Sequence, residues 1–320
     1  MSANIQKQSE TFTHQVFSFG SLLFAIFLLS FAAIFTRLSE QEISASATVF
    51  NRLWIAVIFL VLWDRMTSFT SQSTSDFSVE NRQKISQHLG ILMLSALIDL
   101  ACILLWAISL NQTSVSNSNL LHNLTPVFAT LGGWLWLNQS FDSQFIVGII
   151  LATSGASAIA FADFQFSSQY LIGDSLALLS AIFYGFSYLI YEQLRVIFAA
   201  KTLLLITCFF RSLLVLPIIF LTDAPVFPSS WLGWLVVIGL GILCQSWANL
   251  ILLHSLKQFS SGFISLFLLL DPIITAILAW IIFSERLTFL NWIAFGCVLL
   301  GIYYAKSGQG AEKKSENLQI

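Results

Sequence analysis

The sequence predicts an all-α integral membrane protein with ten transmembrane helices in two inverted-topology five-helix repeats. Composition is the first reason. The chain is 57% hydrophobic and 9% charged over 320 residues, with mean hydropathy +0.83, whereas a soluble domain is about 25% charged. The second reason is the recurrence of apolar runs of about 20 residues, each long enough to cross a ~30 Å hydrocarbon core. The third is an internal repeat that relates the two halves of the chain.

Taken in order, the first run, 18–36, follows a polar N-terminus, MSANIQKQSETFTHQ. That stretch has no basic signal-type region, so the run reads as a retained span and 1–17 as a polar tail. Run 43–63 carries Arg52 at its centre, and a Ser/Thr-rich loop near 64–88 leads to run 89–109, which holds Asp99. Run 114–137 is interrupted by Pro126. Run 143–162 repeats small residues at Gly148, Ala152, Ala156 and Ala160. The second half continues with 173–191, with 202–221 around Arg211, and with 231–253 containing Gln245 and Asn249. Run 260–283 holds Asp271 and Pro272 together. The last, 288–305, repeats small residues at Cys297, Gly301 and Ala305 before a polar tail, 306–320. Neither the loop nor the tails can hold a soluble domain. Small-xxx-small stripes permit close helix contact, so the fifth and tenth spans are expected to serve scaffold or homodimer contacts.

Lys and Arg favour cytoplasmic loops. On the N-terminal side of the predicted spans lie Lys7, Arg65, Arg82, Lys84, Arg195, Lys201, Lys257, Lys306, Lys313 and Lys314; the other side has Arg37 and Arg286. This asymmetry places both termini in the cytoplasm of a multi-pass cell (plasma or inner) membrane protein. Four cysteines, Cys102, Cys208, Cys244 and Cys297, fall within spans without metal-type spacing and read as small packing residues. No metal or cofactor is expected, and no basic patch with interleaved aromatics points to nucleic acid.

A shift of 146 residues places SVSNSNLLHNLTPVFATLGGWLWLNQSF (114–141) on SSGFISLFLLLDPIITAILAWIIFSERL (260–287) without a gap, aligning Pro126 with Pro272. A shift of 159 aligns TVFNR (48–52) with TCFFR (207–211). The repeats are therefore set at 18–162 and 173–305. Five spans each force the halves into opposite orientations, an arrangement characteristic of secondary transporters. These proline-bearing segments resemble the fourth and ninth helices of the ten-helix EamA-like branch of the drug/metabolite transporter superfamily. The second copy keeps a family-like acid at Glu285, where the first has Gln139. The resemblance implies alternating-access transport of a small metabolite.

Arg52, Asp99, Arg211 and Asp271 lie near the centres of their spans, with His122 at similar depth. A charge at a helix centre costs about 2.5–3.5 kcal/mol on the insertion scale, so four must face inward and pair. The simplest expectation is one pair per half: Arg52 with Asp99, and Arg211 with Asp271. Helical spacing adds Asn119, His122 and Asn123 on one face of the fourth span, Trp106 below Asp99 on the third, and Gln245 with Asn249 on the eighth. Tyr184 and Tyr188 are further candidates for site lining. Pro126 and Pro272 each free the carbonyl four residues earlier, which needs a partner or a wet cavity at membrane depth. The reading is a secondary transporter, not an enzyme, of a small polar, amino-acid-like molecule, most naturally an exporter. Its partners are that substrate and the bilayer. A membrane sensor or structural protein, or an intramembrane enzyme, are the alternatives. Without a G-x-x-x-x-G-K-[ST] motif, the chain is not itself an ATP-driven pump.

Overall fold

The computed structural model describes residues 2–70, 79–113, 115–161, 170–220, 225–283 and 289–308. Ser114, Glu285, Arg286, Lys313 and Lys314, all used in the reading above, lie outside the described residues. Within them every regular element is helical. The first half comprises α1 (Ser2–Ser39), α2 (Ala45–Thr70), α3 (Val79–Gln87), α4 (Leu89–Gln112), α5 (Val115–His122), α6 (Thr125–Trp136) and α7 (Ser143–Phe161). In the second, α8 (Leu171–Ile197) and α9 (Ala200–Phe220) precede α10 (Trp231–Gly239), which runs through a π-helical segment (Leu240–Ala248) into α11 (Asn249–Ser255). The chain ends with α12 (Ser261–Phe267), α13 (Leu270–Phe283) and α14 (Phe289–Ser307). Among the described residues, eight helical stretches are long and apolar enough to cross a membrane, and Ser143–Ala158 is a shorter apolar helix.

The fourth and ninth predicted spans are not single helices. The fourth breaks between α5 and α6, the ninth between α12 and α13. Each proline stands in the first turn of the new helix, where backbone donors have no intrahelical partner and a missing N–H costs nothing. The carbonyls expected to need a cavity find partners nearby. His122 O accepts the Thr125 hydroxyl at 2.7 Å, and Leu268 O accepts the Asp271 N–H at 2.9 Å. The break also explains why an acid accompanies the second proline. Asp271 occupies the first turn of α13, where the helix dipole favours negative charge.

The small-residue stripes meet each other. An added Cβ at Gly148 on α7 would lie 2.5 Å from the Ala305 nitrogen and from the Gly301 oxygen on α14. Gly148 and Ala152 of one stripe thus pack on Gly301 and Ala305 of the other within the chain. Gly148→Val must push these backbones apart, at about 1–3 kcal/mol or more. The expected result is a lower thermal unfolding temperature in detergent. Unchanged stability would show that the contact yields freely.

Packing of the other helices is reciprocal between the halves. α4 packs on α8 and α9 as the π-helical segment packs on α1 and α2; α6 lies on α8 as α13 lies on α1. At the centre α2 meets α9 and α6 meets α12. A two-repeat fold produces this pattern. The start of the first span and the end of the last meet at one end, called here the terminus-bearing end, where the Lys306 ammonium stands 3.9 Å over the Phe19 ring. At the other end Glu42 accepts from the backbone N–H groups of Ser229 and Ser230 at 3.0 and 3.1 Å. The Ser230 hydrogen bonds hold its carboxyl below the usual carboxylate range.

Candidate functional site

The reciprocal packing brings four polar side chains together across the two halves. Asp99 on α4 and Arg211 on α9 are each 6% exposed, and Gln245 in the π-helical segment is 1% exposed. Arg211 Nη1 lies 3.2 Å from Asp99 Oδ2. Ser187 and Tyr191 of α8 donate their hydroxyls to the same carboxylate. Arg52 on α2 donates from Nε and Nη2 to Gln245 Oε1 at 3.0 and 2.6 Å. Cys208 joins the two pairs, accepting at 3.4 Å from both Arg211 Nη2 and Gln245 Nε2. It is a bridging acceptor, not the plain packing residue read from the sequence.

The expected within-half pairs are therefore wrong. Arg211 pairs with Asp99 and not with Asp271, while Arg52 meets a neutral amide and not Asp99. The sequence contained the missing signal. The offset that aligns the prolines also carries Asp99 onto Gln245, and the T-x-F-x-R offset carries Arg52 onto Arg211. Asp99···Arg211 and Gln245···Arg52 are thus two copies of one contact, each reaching from a third helix to the other half's second helix. Ser187 and Tyr191 carried no such signal, because hydroxyls on an apolar helix are common.

Asp271 sits apart from this hub and is only half-buried. Ser30 of α1 donates to Oδ1 at 2.7 Å, and Thr275 reaches the same oxygen at 3.5 Å. Cys244, beside Gln245, donates to Leu28 O at 3.2 Å, two residues before Ser30. The contact between α1 and the π-helical segment so links the Arg52 and Asp271 sides of the site. Among the described residues neither Arg52 nor Asp271 forms an ion pair.

An aromatic wall completes the arrangement. The Tyr184 ring stacks on His122 with centroids 5.4 Å apart, and its hydroxyl lies 3.3 Å from that of Tyr188. His122 Nδ1 is 3.1 Å from Ser180 Oγ, and Trp106 lies 6.2 Å from the His122 ring. The indole N–H of Trp106 is buried without a hydrogen-bond partner among the described residues. Three expected site residues stand elsewhere. Asn119 is exposed, Asn123 donates to Ala156 O on α7 at 3.3 Å, and Asn249 donates to Cys244 O at 2.9 Å within the π-helical turn. The geometry offers a cation and an anion with no ion-pair partner among the described residues, Arg52 held by Gln245 and Asp271 by Ser30, beside the buried Asp99–Arg211 ion pair.

The model of the EamA-like transporter family matches residues 16–161 and 171–305. An uncharacterized transporter of Archaeoglobus fulgidus is 23% identical over 301 residues, covering 90% of this chain and 97% of that protein. The uncharacterized transporter YxxF of Bacillus subtilis is 26% identical over 172 residues, which span 53% of this chain and 54% of that relative. A solved crystal structure superposes with TM-score 0.75 at 14% identity, covering 91% of this chain and 96% of the other, and this likeness concerns the fold.

Proposed function

The chain belongs to the EamA-like transporter family, and with it to the drug/metabolite transporter superfamily, and on that premise we propose that it exports a small zwitterionic, amino-acid-like metabolite by alternating access. The observation that carries this reading is a pair of charges held only by neutral hydrogen-bond partners. Arg52 and Asp271 are each only partly buried and lack a counter-ion among the described residues. Isolated charges at membrane depth are costly, and a ligand bearing a carboxylate and an ammonium offsets both at once. The guanidinium fork suits a carboxylate; Asp271 suits the ammonium. Tyr184, Tyr188, His122 and Trp106 form the wall beside them.

The remaining parts of the proposal follow the sequence. The repeats run 18–162 and 173–305, both termini face the cytoplasm, and the protein resides in the cell membrane. Asn119, Asn123 and Asn249 join the site only in a rearranged state, because here they are engaged or turned away. Purified protein in liposomes is expected to exchange labelled zwitterionic amino acids across the bilayer, and cells carrying it to release the substrate faster than cells without it. Flux indistinguishable from protein-free liposomes across a panel of zwitterions would sink the reading.

A further inference from the structure

Between the central hub and the terminus-bearing end of the bundle the helices are closely packed, and one buried carboxylate ties two of them together. Glu192 on α8 is 4% exposed. One of its oxygens accepts the side-chain amide of Gln139, in the turn after α6, at 2.7 Å. The other accepts the backbone N–H of Ser261, the first residue of α12, also at 2.7 Å. A single side chain therefore joins the end of one broken span to the start of the other. Where it does so, α6 and α12 cross closely: a Cβ added at Gly262 would lie 2.8 Å from Thr130 Oγ1. Every residue of α12 is buried. Phe19, Phe259 and Phe263 fill the flank, with ring centroids 5.0–6.0 Å apart. Beyond the break, Asp271, Pro272 and Thr275 of α13 are only half-buried. The ninth span is fully buried at one end and half-buried at the other.

Resting on the transporter reading, the geometry points to Glu192 as the latch of the gate at the terminus-bearing end. A substrate leaving the site toward that end must part α6 from α12. An ionised Glu192 makes these two hydrogen bonds charge-assisted, roughly twice as strong as neutral ones, and they bridge the elements that must separate. Glu192 is thus a positioning residue that biases the closed state and does not touch the substrate. Gln139 is only partly buried as a residue, although its Oε1 is buried without a hydrogen-bond partner among the described residues.

The test reads access, and needs no substrate. Ser265, one turn further into α12 and 2% exposed, is replaced by cysteine in the full chain. Its labelling by a membrane-impermeant maleimide from the terminus-bearing side is timed against the same protein without Ser265→Cys. Glu192→Gln is expected to raise the labelling rate about tenfold, the size of one charge-assisted bond weakened to a neutral one. Gln139→Glu, which sets a second carboxylate against Glu192, should also raise it, and Gln139→Lys should lower it. Opposite responses to the two Gln139 variants support a latch. No change, or a shift in the same direction for both, overturns it, because general loosening has no charge sign. If Glu192→Gln fails to fold, the Gln139 pair decides alone. Failure here leaves the transport reading standing, whereas normal latch behaviour without flux in liposomes would remove transport and keep the moving element.

Discussion

Arg211→Ala is expected to destabilise the protein by about 3–5 kcal/mol, and adding Asp99→Ala is expected to return most of that loss. Arg211 and Asp99 are 3.2 Å apart and almost fully buried. Removing the cation strands a carboxylate in a low-dielectric interior. Ser187 and Tyr191 still donate to it, which holds the loss toward the lower end of the range. Removing Asp99 alone strands Arg211, whose remaining acceptors are the Thr207 carbonyl at 3.3 Å and the Cys208 sulfur. Removing both leaves an apolar gap and no unpaired charge. A double-mutant cycle on unfolding in detergent should therefore give a coupling of about 3 kcal/mol or more, the top of the range for groups in direct contact. The cycle between Arg211 and Asp271 should close to within about 0.5 kcal/mol, as for independent sites. Coupling in the second cycle and additivity in the first would restore the within-half pairing that the sequence alone suggests.

That reversal shows what kind of information the sequence carried. Spans were legible because length and apolar composition decide whether a helix can cross a bilayer. The close contact of α7 with α14 was legible as two stripes of small residues, although not that the stripes face each other. Depth was legible too, since Arg52, Asp99, Arg211 and Asp271 each stand near the middle of an apolar run. Depth is only one coordinate, however. Two charges at one level can lie on opposite sides of a bundle, and sequence proximity favours the wrong partner when the third helix of one half docks on the second helix of the other. The repeat offset could have resolved this by setting Asp99 and Gln245 in equivalent places. What no periodicity could supply are the contacts of Glu192 or Ser30, single polar residues that each have a partner in the other half of the chain.

The largest effects on transport are expected at Arg52 and Asp271, and their signature is a change in which molecule is carried. Arg52 directs Nε and Nη2 at one neutral oxygen of Gln245 and has no carboxylate partner among the described residues. A substrate carboxylate arriving there gains a two-point, charge-assisted contact that lysine cannot reproduce. Arg52→Lys should lower transport of a zwitterionic amino acid by about 100-fold, equivalent to ~2.7 kcal/mol, with little change in thermal stability because no buried ion pair is broken. Asp271→Asn keeps the shape and the hydroxyl contacts from Ser30 and Thr275 but removes the charge. It should depress the zwitterion by a similar factor while sparing the N-acetylated analogue, which retains the carboxylate and lacks the ammonium. Arg52→Gln should do the reverse, sparing the amino-acid amide. Ligand-dependent stabilisation gives a second readout: a substrate at 100 times its Kd adds about 2.7 kcal/mol to the wild type, and each variant should lose that gain only for the group it no longer matches. Equal loss of all three ligands in both variants would mean that the residues maintain the site's structure. An unchanged preference for the zwitterion in Asp271→Asn would place the ammonium somewhere other than beside α1.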